Sequence, residues 1–319
     1  MRKVLLALII MLLAAGAVRC ADIVIEAKKQ TLKIDSNKGY FEGDVKVIVG
    51  DVTVKSPRAE LDLEPSSKKP SLATFFDNPY AFSEKDNKKH EIKANIIKVS
   101  LIKKNILAQG NSQSIMMEDR EPVITINADS QEYDTVTKVM TAKGKVIIHH
   151  RDIETFSDTA SAIVNQSGTI DDLKLAGNVV MKEKTNIIKG DKFEYYPKRE
   201  EYQISGNTSS DVAFEDGSRV FVNARYQQFN RNSKTMIAGG NVKIIYKDYV
   251  ATGPKAQLLV DEKTNKPNEI IFSGRSKIKQ EGSTVEADRI TLTLSPKSFY
   301  ADGNVKTSLS SGSKENFSL

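Results

Sequence analysis

The residues of this chain that could perform acid–base or metal chemistry are few and poorly placed for it. The three histidines are His90, His149 and His150. Because His149 and His150 are adjacent, a strand would point them to opposite faces, where they cannot share a metal ion. His90 stands in the polar run NKKHE, and the carboxylate pair Asp171–Asp172 falls in a predicted turn. The sequence therefore predicts no catalytic residues and no metal site.

Binding sites for nucleotides or nucleic acids are not indicated either. The one glycine pair, Gly239–Gly240, lies in an alternating strand segment and does not precede a helix, as a phosphate-binding loop would. The single cysteine, Cys20, provides no disulfide framework. The formal net charge of +6 comes from interspersed charges of both signs, without the basic stripe of a nucleic-acid binder. We predict a protein that is not an enzyme, uses no cofactor and binds no nucleic acid.

The chain is built from a sequence repeat. A corner, usually a glycine, recurs about every 34 residues, and a fixed period of this length is typical of repeat architectures. Such architectures form long surfaces and channels more readily than one asymmetric pocket. The corners are Gly43, Asp77 (a departure, in the string FFDNP), Gly110, Gly144, Gly177, Gly206, Gly240, Gly274 and Gly303.

Each repeat has the alternation of strands. Phe41, Val45 and Val47 share one face, with polar residues between them, and this period of two excludes helical repeats. A β-branched strand then ends at a small residue, such as Ser56 or Ala287, and the alternation resumes one step out of phase. A bulge at the slip lets the strand turn while its apolar side stays inward. Each repeat is thus predicted to be two long kinked strands of an all-β, elongated, antiparallel roll.

The first twenty residues have the layout of a secretory signal peptide. Arg2 and Lys3 precede an apolar run that is shorter than the roughly 20 residues of a membrane-spanning helix. We therefore expect residues 1–20 to direct export and to be cleaved. An uncleaved membrane anchor stays open as an alternative.

The rest of the chain divides into repeats and a tail. Residues 21–308 are predicted to form the repeats, either as one continuous domain or as two tandem halves that meet near 150–175. Residues 309–319 are predicted to be a polar tail.

The two ends of the repeat region are complementary half repeats. The first half leads to Ala27, which precedes Gly43 by the same interval that separates the small residue from the next glycine in five other repeats, and the last half contains Gly303. Open strand edges of complementary type favour head-to-tail pairing by strand addition. The candidate docking residues are Ile23, Val24, Ile25, Ala301, Gly303 and Val305.

Three strings resemble a known family. YFEGDVKVIVGDVTVKSPRAELDL, MIAGGNVKIIYKDYVATGPKAQLLV and FYADGNVKTS are similar to the OstA-like (LptA-type) domain of periplasmic proteins of lipopolysaccharide transport, and ADIVIEAKKQTLKID is similar to that family's mature start. The resemblance covers nearly all of residues 21–308. The chain departs from the family's short bridge proteins in having about twice their number of repeats, and so looks like an extended form.

The resemblance implies a fold and a function. The fold is a twisted, V-shaped, two-sheet β-jellyroll, open at both ends, whose apolar groove holds the acyl chains of lipopolysaccharide or a related lipid while the sugars stay in water. The resemblance also implies a periplasmic location. The implied partners are inner- and outer-membrane transport components of the same fold, with head-to-tail self-association.

The inward apolar residues would line such a groove. In a closed β-sandwich the same residues would simply be core, and the sequence leaves groove and core as alternatives. Two other functions also stay open: a structural or assembly scaffold that acts through open strand edges, and a membrane-anchored adaptor of the same pathway if the N-terminal segment is uncleaved. The lipid-groove candidates are Val45, Val47, Ile126, Val146, Ile148, Val179, Val222, Val242, Ile244 and Val285.

Overall fold

The computed structural model divides the chain into two compact units, Met1–Gly177 and Asn178–Leu319. It describes residues 23–49, 51–85, 87–150, 152–164, 170–213, 217–261, 267–294 and 297–309. The predicted signal peptide, residues 1–20, lies outside the described residues, as does the predicted tail beyond Leu309. The predicted domain organisation of residues 21–308 stays a prediction.

Twenty-two strands and one turn of 3₁₀ helix, Pro197–Arg199, make up the secondary structure of the described residues, and each pairing between them is antiparallel. No helix in these ranges is long and apolar enough to cross a membrane. The strands of the first unit are β1 (Ile23–Glu26), β2 (Lys29–Lys33), β3 (Lys38–Val49), β4 (Val52–Leu63), β5 (Pro70–Phe76), β6 (Tyr80–Lys85), β7 (Lys88–Lys93), β8 (Ile96–Ser100), β9 (Asn105–Glu118), β10 (Glu121–Asp134), β11 (Val139–His150) and β12 (Ile153–Val164). The unit boundary falls within β13 (Ile170–Glu183), and the second unit continues with β14 (Asn186–Tyr196), β15 (Glu201–Ala213), β16 (Arg219–Asn230), β17 (Thr235–Tyr246), β18 (Tyr249–Val260), β19 (Pro267–Gln280), β20 (Ser283–Leu294), β21 (Lys297–Asp302) and β22 (Lys306–Leu309).

The long strands are kinked, and each half of a kinked strand belongs to a different stretch of sheet. On one side of β3, the residues up to Glu42 pair with β2, and those from Lys46 onward pair with β1. On its other side, β3 pairs with β4 along both halves, but the register shifts between Glu42 and Val45. The extra residue at this shift, at Gly43–Asp44, is a β-bulge, which bends the strand.

The corner glycines are required by the backbone conformation at the kink. Gly144 has φ of 77°, and Lys145, which follows it, has φ of 49°. Two successive left-handed residues are unfavourable for L-amino acids, and glycine removes the cost at the first of them. In Gly110–Asn111 and Gly206–Asn207 the second position is asparagine, which tolerates this conformation better than most side chains.

The sequence departure at Asp77 keeps the same backbone. Asp77 and Asn78 have φ of 65° and 62°, the left-handed pair found at the glycine corners. Here the strand is broken into β5 and β6, and Pro79 lies in the break. Because proline has no backbone N–H to donate to a strand ladder, a break is the expected result.

At the second kind of corner, a side chain packs onto the glycine of the neighbouring strand. Asp129 follows the small residue Ala128, and a Cβ added to Gly144 would overlap the Asp129 carboxylate. Asp288 takes the same position at Gly303, where its N–H donates to the glycine carbonyl at 2.8 Å. Corner glycines are therefore fixed both by φ and by the lack of space.

The two halves of the kinked strands pack their apolar faces together. In the first unit, Phe41 and Ala59 from one set of halves share a buried cluster with Val45 and Val47 from the other. In the second unit a corresponding cluster joins residues on both sides of the β17 corner, among them Ala238 and Val242. The predicted fold, an all-β antiparallel roll of kinked strands with apolar residues inside, is confirmed.

Candidate functional site

The residues predicted to line a groove lie in the packed interior. Nine of the ten are buried, with exposed fractions of 1–8%, and Val222 is half-buried. The structure brings Val45 and Val47 together in the first unit, and Val222, Val242, Ile244 and Val285 together in the second. Whether these residues contact lipid stays a prediction.

On some strands, packing in the interior loosens from the corner towards the strand end, whereas on others, such as β20 with Leu292 at 5% exposure, it stays tight. On β4, Val54 and Ala59 flank the corner and are buried, whereas Leu61, nearer the strand end, is half-buried. On β18, Ala256 is buried and Leu258 is half-buried. Since the two halves of each strand are joined at the corner, their free ends are the places where they can separate most easily.

One run of the first unit carries a buried polar cluster in place of apolar residues. Gln131 Nε2 donates to Ser112 Oγ at 3.2 Å and to the Ile126 carbonyl at 3.3 Å, while Ser114 Oγ donates to Gln131 Oε1 at 2.6 Å. Ser112 Oγ in turn donates to the Ala128 carbonyl at 2.9 Å. We call Ser112, Ser114 and Gln131 the Gln131 clamp; its three side chains are 1–4% exposed.

The second unit repeats this cluster. Gln227 Nε2 donates to Thr208 Oγ1 at 2.8 Å, Ser210 Oγ donates to Gln227 Oε1 at 2.7 Å, and Thr208 Oγ1 donates to the Ala224 carbonyl at 3.0 Å. We call Thr208, Ser210 and Gln227 the Gln227 clamp. Each polar group has a partner, as buried polar groups require.

The first and last described strands expose apolar side chains along their edges. Within the described ranges, β1 and β2 pair only with β3, and β21 and β22 pair only with β20. Of the predicted docking residues, Ile23, Val24 and Val305 are 43–51% exposed, and Ile25 and Ala301 pack partly against the apolar clusters. Further exposed apolar residues next to these edges or on them are Leu32, Ile34, Phe299, Tyr300 and Leu309.

The titratable groups singled out from the sequence do not come together. No group of histidine, cysteine and carboxylate side chains in the described ranges could hold a metal ion. His149 lies beside Glu154, at 3.5 Å. The prediction that Asp171–Asp172 lie in a turn is wrong, because both belong to β13, where Asp172 pairs with Lys174 at 3.3 Å. The turn-forming residues QSGT stand just before them in the sequence, and the predicted turn was therefore extended too far, into the start of β13.

A charged aromatic cluster on the outer face of β6 and β7 is held by internal contacts. Tyr80 and Phe82 stack at 5.3 Å, Tyr80 donates to Glu91 Oε1 at 2.6 Å, and Lys89 pairs with the same carboxylate. The hydrogen bond to Glu91, with that to Tyr80, raises the pKa of Lys89. Burial raises the pKa of Glu91, but the hydrogen bonds from Lys89 and Tyr80 outweigh it, so this pKa lies below its usual value. These contacts stabilise the outer face.

Comparison with family models identifies one segment of the chain. Residues 125–222 match the model described as "LptA/(LptD N-terminal domain) LPS transport protein". This segment is similar to the LptA-type family. The resemblance predicted from the sequence is confirmed here, in the LptA-type segment that runs from β10 into β16. The groove candidates within it are Ile126, Val146, Ile148, Val179 and Val222.

Solved structures that match this chain include LptH from Pseudomonas aeruginosa, described as the LptA homologous periplasmic component of the conserved lipopolysaccharide transport device. It is 16% identical to this chain, and the match covers 39% of this chain and 83% of LptH, with a TM-score of 0.34. The search of curated proteins gives no match. The similarity to the LptA-type family therefore rests on residues 125–222.

Proposed function

We propose that this chain is a periplasmic, non-enzymatic component of lipopolysaccharide transport that shields acyl chains in its apolar interior. The observation that supports this most directly is the LptA-type segment, residues 125–222, which lies within a fold whose long strands turn one mainly apolar face inward. The same interior offers no catalytic constellation among its described residues. A carrier without a reaction to perform needs only apolar surface and an opening.

Acyl chains enter between the strand ends. Leu61 and Leu258, which lie there, are only half-buried, whereas the corners are closed by tight packing. Each buried methylene is worth about 0.8 kcal/mol, and similar repeats supply this gain along the roll with no single deep well. The lipid therefore slides between successive repeats. Its sugars and phosphates stay in water, so the cost of removing polar groups from water does not arise.

The open edges pass lipid between molecules. β21 and β22 bend at a glycine corner, Gly303–Asn304, whereas β1 and β2 flank the small residue Ala27. These two corner types alternate along the roll, so the last run of one molecule and the first run of the next continue the pattern. Exposed Ile23, Val24 and Val305 are covered by the junction, either between copies of this chain or with membrane-bound partners of the same fold.

A scaffold is the second candidate, favoured by the burial of nine of the ten groove candidates. In that function the interior is a closed core, and only the edges bind partners. A membrane-anchored adaptor requires residues 1–20 to be retained, and N-terminal sequencing of the exported protein decides this.

Neighbouring isoleucines distinguish a lipid carrier from a scaffold. Ile148 and Ile244 face the interior with 6% and 7% exposure, and Ile147 and Ile245, on the same strands, face outward. A diazirine amino acid of similar size is placed at each site in turn, in the full chain, and the protein is irradiated with purified lipopolysaccharide. A carrier gives lipid adducts at Ile148 and Ile244 and few at their outward neighbours. A scaffold gives no excess at the inward sites.

A further inference from the structure

Two strand pairs, β9–β10 and β15–β16, break the apolar pattern of the interior in the same way. In most repeats the second and fourth residues after the glycine corner are apolar, as are Val45 and Val47 after Gly43. After Gly110 and Gly206 these positions hold Ser112 and Ser114, and Thr208 and Ser210. Beside these two corners the third residue after the neighbouring small corner residue is a buried glutamine; the glutamine at the same position after Ala27, Gln30, is exposed on the edge strand β2. Each unit thus has one place where three polar residues stand together at positions that are mostly apolar in the other repeats.

Each glutamine connects the two halves of the roll. Residues 112–118 of β9 pair with residues 121–128 of β10, whereas Gln131 follows the Ala128 corner and pairs with Ala108 on the other half. The Gln131 side chain therefore crosses the interior to reach Ser112 and Ser114. In the second unit Gln227 crosses in the same way, because Thr208 pairs with Ala224 on the near half and Gln227 pairs with Ile204 on the other half.

The two apolar clusters described above end at the strands that carry the clamps. In the first unit the cluster extends from Phe41 as far as Ala108 on β9, the strand that carries Ser112 and Ser114. In the second unit the cluster that contains Val242 begins with Val220 and Ala224 on β16, the strand that carries Gln227. A polar clamp thus lies at the border of each of these two apolar clusters.

We propose that the Gln131 and Gln227 clamps hold the two halves of the roll together at these runs and so confine acyl chains to the apolar stretches on either side. This inference rests on the proposed function. A hydrocarbon chain that entered between the halves at a clamp would separate the glutamine amide from both hydroxyls. The separated groups would be left buried in hydrocarbon without partners, and an unmade buried hydrogen bond is costly. At the other runs an entering chain breaks only apolar contacts.

The clamps therefore narrow the set of lipid-contact residues. Ile126 and Val222 hold equivalent places beside the two clamps, since their carbonyls accept from Gln131 Nε2 and Gln227 Nε2 at 3.3 and 3.5 Å. Ile126 also stands opposite Ser114 in the strand register. Both residues are groove candidates by pattern, but the clamps keep acyl chains away from them. Transport along the interior then proceeds as steps between separate apolar compartments.

Two equally buried isoleucines of the first unit test the proposal. Ile126 lies at the clamp and is 2% exposed, and Ile97, which occupies on β8 the repeat position of Gln131, belongs to the apolar cluster and is 1% exposed. The diazirine amino acid is placed at either site in the full chain, which is irradiated with purified lipopolysaccharide. We expect adducts at Ile97 to exceed those at Ile126 by roughly tenfold or more, because opening the clamp leaves buried polar groups unpaired.

The clamp is then replaced by the residues that other repeats use. The variant Ser112→Val, Ser114→Val, Gln131→Ala copies the arrangement of Val45, Val47 and Ala59, which the fold already accommodates. Adducts at Ile126 should rise to the level at Ile97. The control is Gln113→Leu, since Gln113 lies between the two serines but faces away from the clamp and bonds Asn127 at 3.0 Å; it should leave both yields unchanged.

Each outcome decides between the proposals. Equal adducts at Ile126 and Ile97 in the unaltered chain overturn the clamps and leave lipid carriage intact, as does a folded triple variant whose Ile126 stays unlabelled. No adducts at Ile97, Ile148 or Ile244 overturn lipid carriage and the clamps with it. If circular dichroism shows that the triple variant is unfolded, the comparison of Ile97 with Ile126 in the unaltered chain decides alone.

Discussion

At the scale of single residues, the corner glycines combine two constraints that mutation can separate. Gly144 has φ of 77° and faces the Asp129 carboxylate, which fills the space of a Cβ. Gly217 has nearly the same φ, 78°, but nothing lies within 4 Å of where its Cβ would be. The two positions therefore differ in steric contact and agree in backbone conformation.

We expect Gly144→Ala to destabilise the protein more than Gly217→Ala. The left-handed conformation alone costs roughly 1–2 kcal/mol for an L-residue, and displacing Asp129 adds about 1–3 kcal/mol at Gly144. Urea unfolding measures both losses. The double variant Asp129→Ala, Gly144→Ala should recover part of the difference, and equal losses for the two single variants would show that packing at the corner is unimportant.

Tyr133 offers a second test at this scale, through its buried hydroxyl. Among the described residues no hydrogen-bond partner reaches this group, and burial raises the pKa of Tyr133 to about 12. Since the folded pKa lies above the unfolded value, ionisation of Tyr133 leaves the stability of the protein unchanged below about pH 10 and lowers it as pH rises towards 12.

Tyr133→Phe should therefore stabilise the protein by about 1 kcal/mol at neutral pH, because it removes an unpaired buried polar group. It should also reduce the loss of stability between about pH 10 and 12, where Tyr133 ionises on unfolding. Thermal unfolding at pH 7 and pH 11 measures both effects. A destabilised variant with an unchanged alkaline profile would mean that the hydroxyl has a partner.

At the scale of strands, the edges carry the proposed junction. Val24 on β1 and Val305, between β21 and β22, are 46% and 51% exposed, and a lysine at either site would place an unpaired charge in the junction. We expect Val24→Lys and Val305→Lys each to weaken self-association by tenfold or more, at about 1.4 kcal/mol per tenfold, as measured by sedimentation velocity across a concentration series.

Val136→Lys is the matched control for the edge variants. Val136 is 63% exposed but lies in the turn between β10 and β11, away from both edges. It should leave self-association unchanged. If all three variants associate equally, the edges are not the junction.

The strands and their kinks are predictable from the sequence for a physical reason. Alternation of period two reports one buried face, and the phase slip after residues such as Ala287 reports a bend, since only a bend keeps both halves facing inward. The repeat spacing locates a corner at Asp77, but the left-handed conformation of Asp77 and Asn78 was not predictable from residue type, since the other corners have glycine at this place.

At the scale of the whole molecule, each unit contains an apolar cluster and one polar clamp. The clamps were not predicted. Alternation places Gln227 on the inward side, but its partners are distant in sequence, and the register across two bulges decides which residues it meets. Groove and core could not be separated either, since inward Val45 or Val242 satisfies both. The graded burial on strands such as β4 and β18 indicates where the interior opens.

We propose that the interior holds acyl chains while the sugars stay in water. The most direct test compares binding of intact lipopolysaccharide with binding of the same molecule after its acyl chains are removed and its sugars and phosphates kept. Burial of methylenes at about 0.8 kcal/mol each predicts that the full chain binds the intact molecule and that deacylation reduces affinity by several orders of magnitude. Equal affinity for the two molecules would contradict the account, because the sugars would then supply the binding.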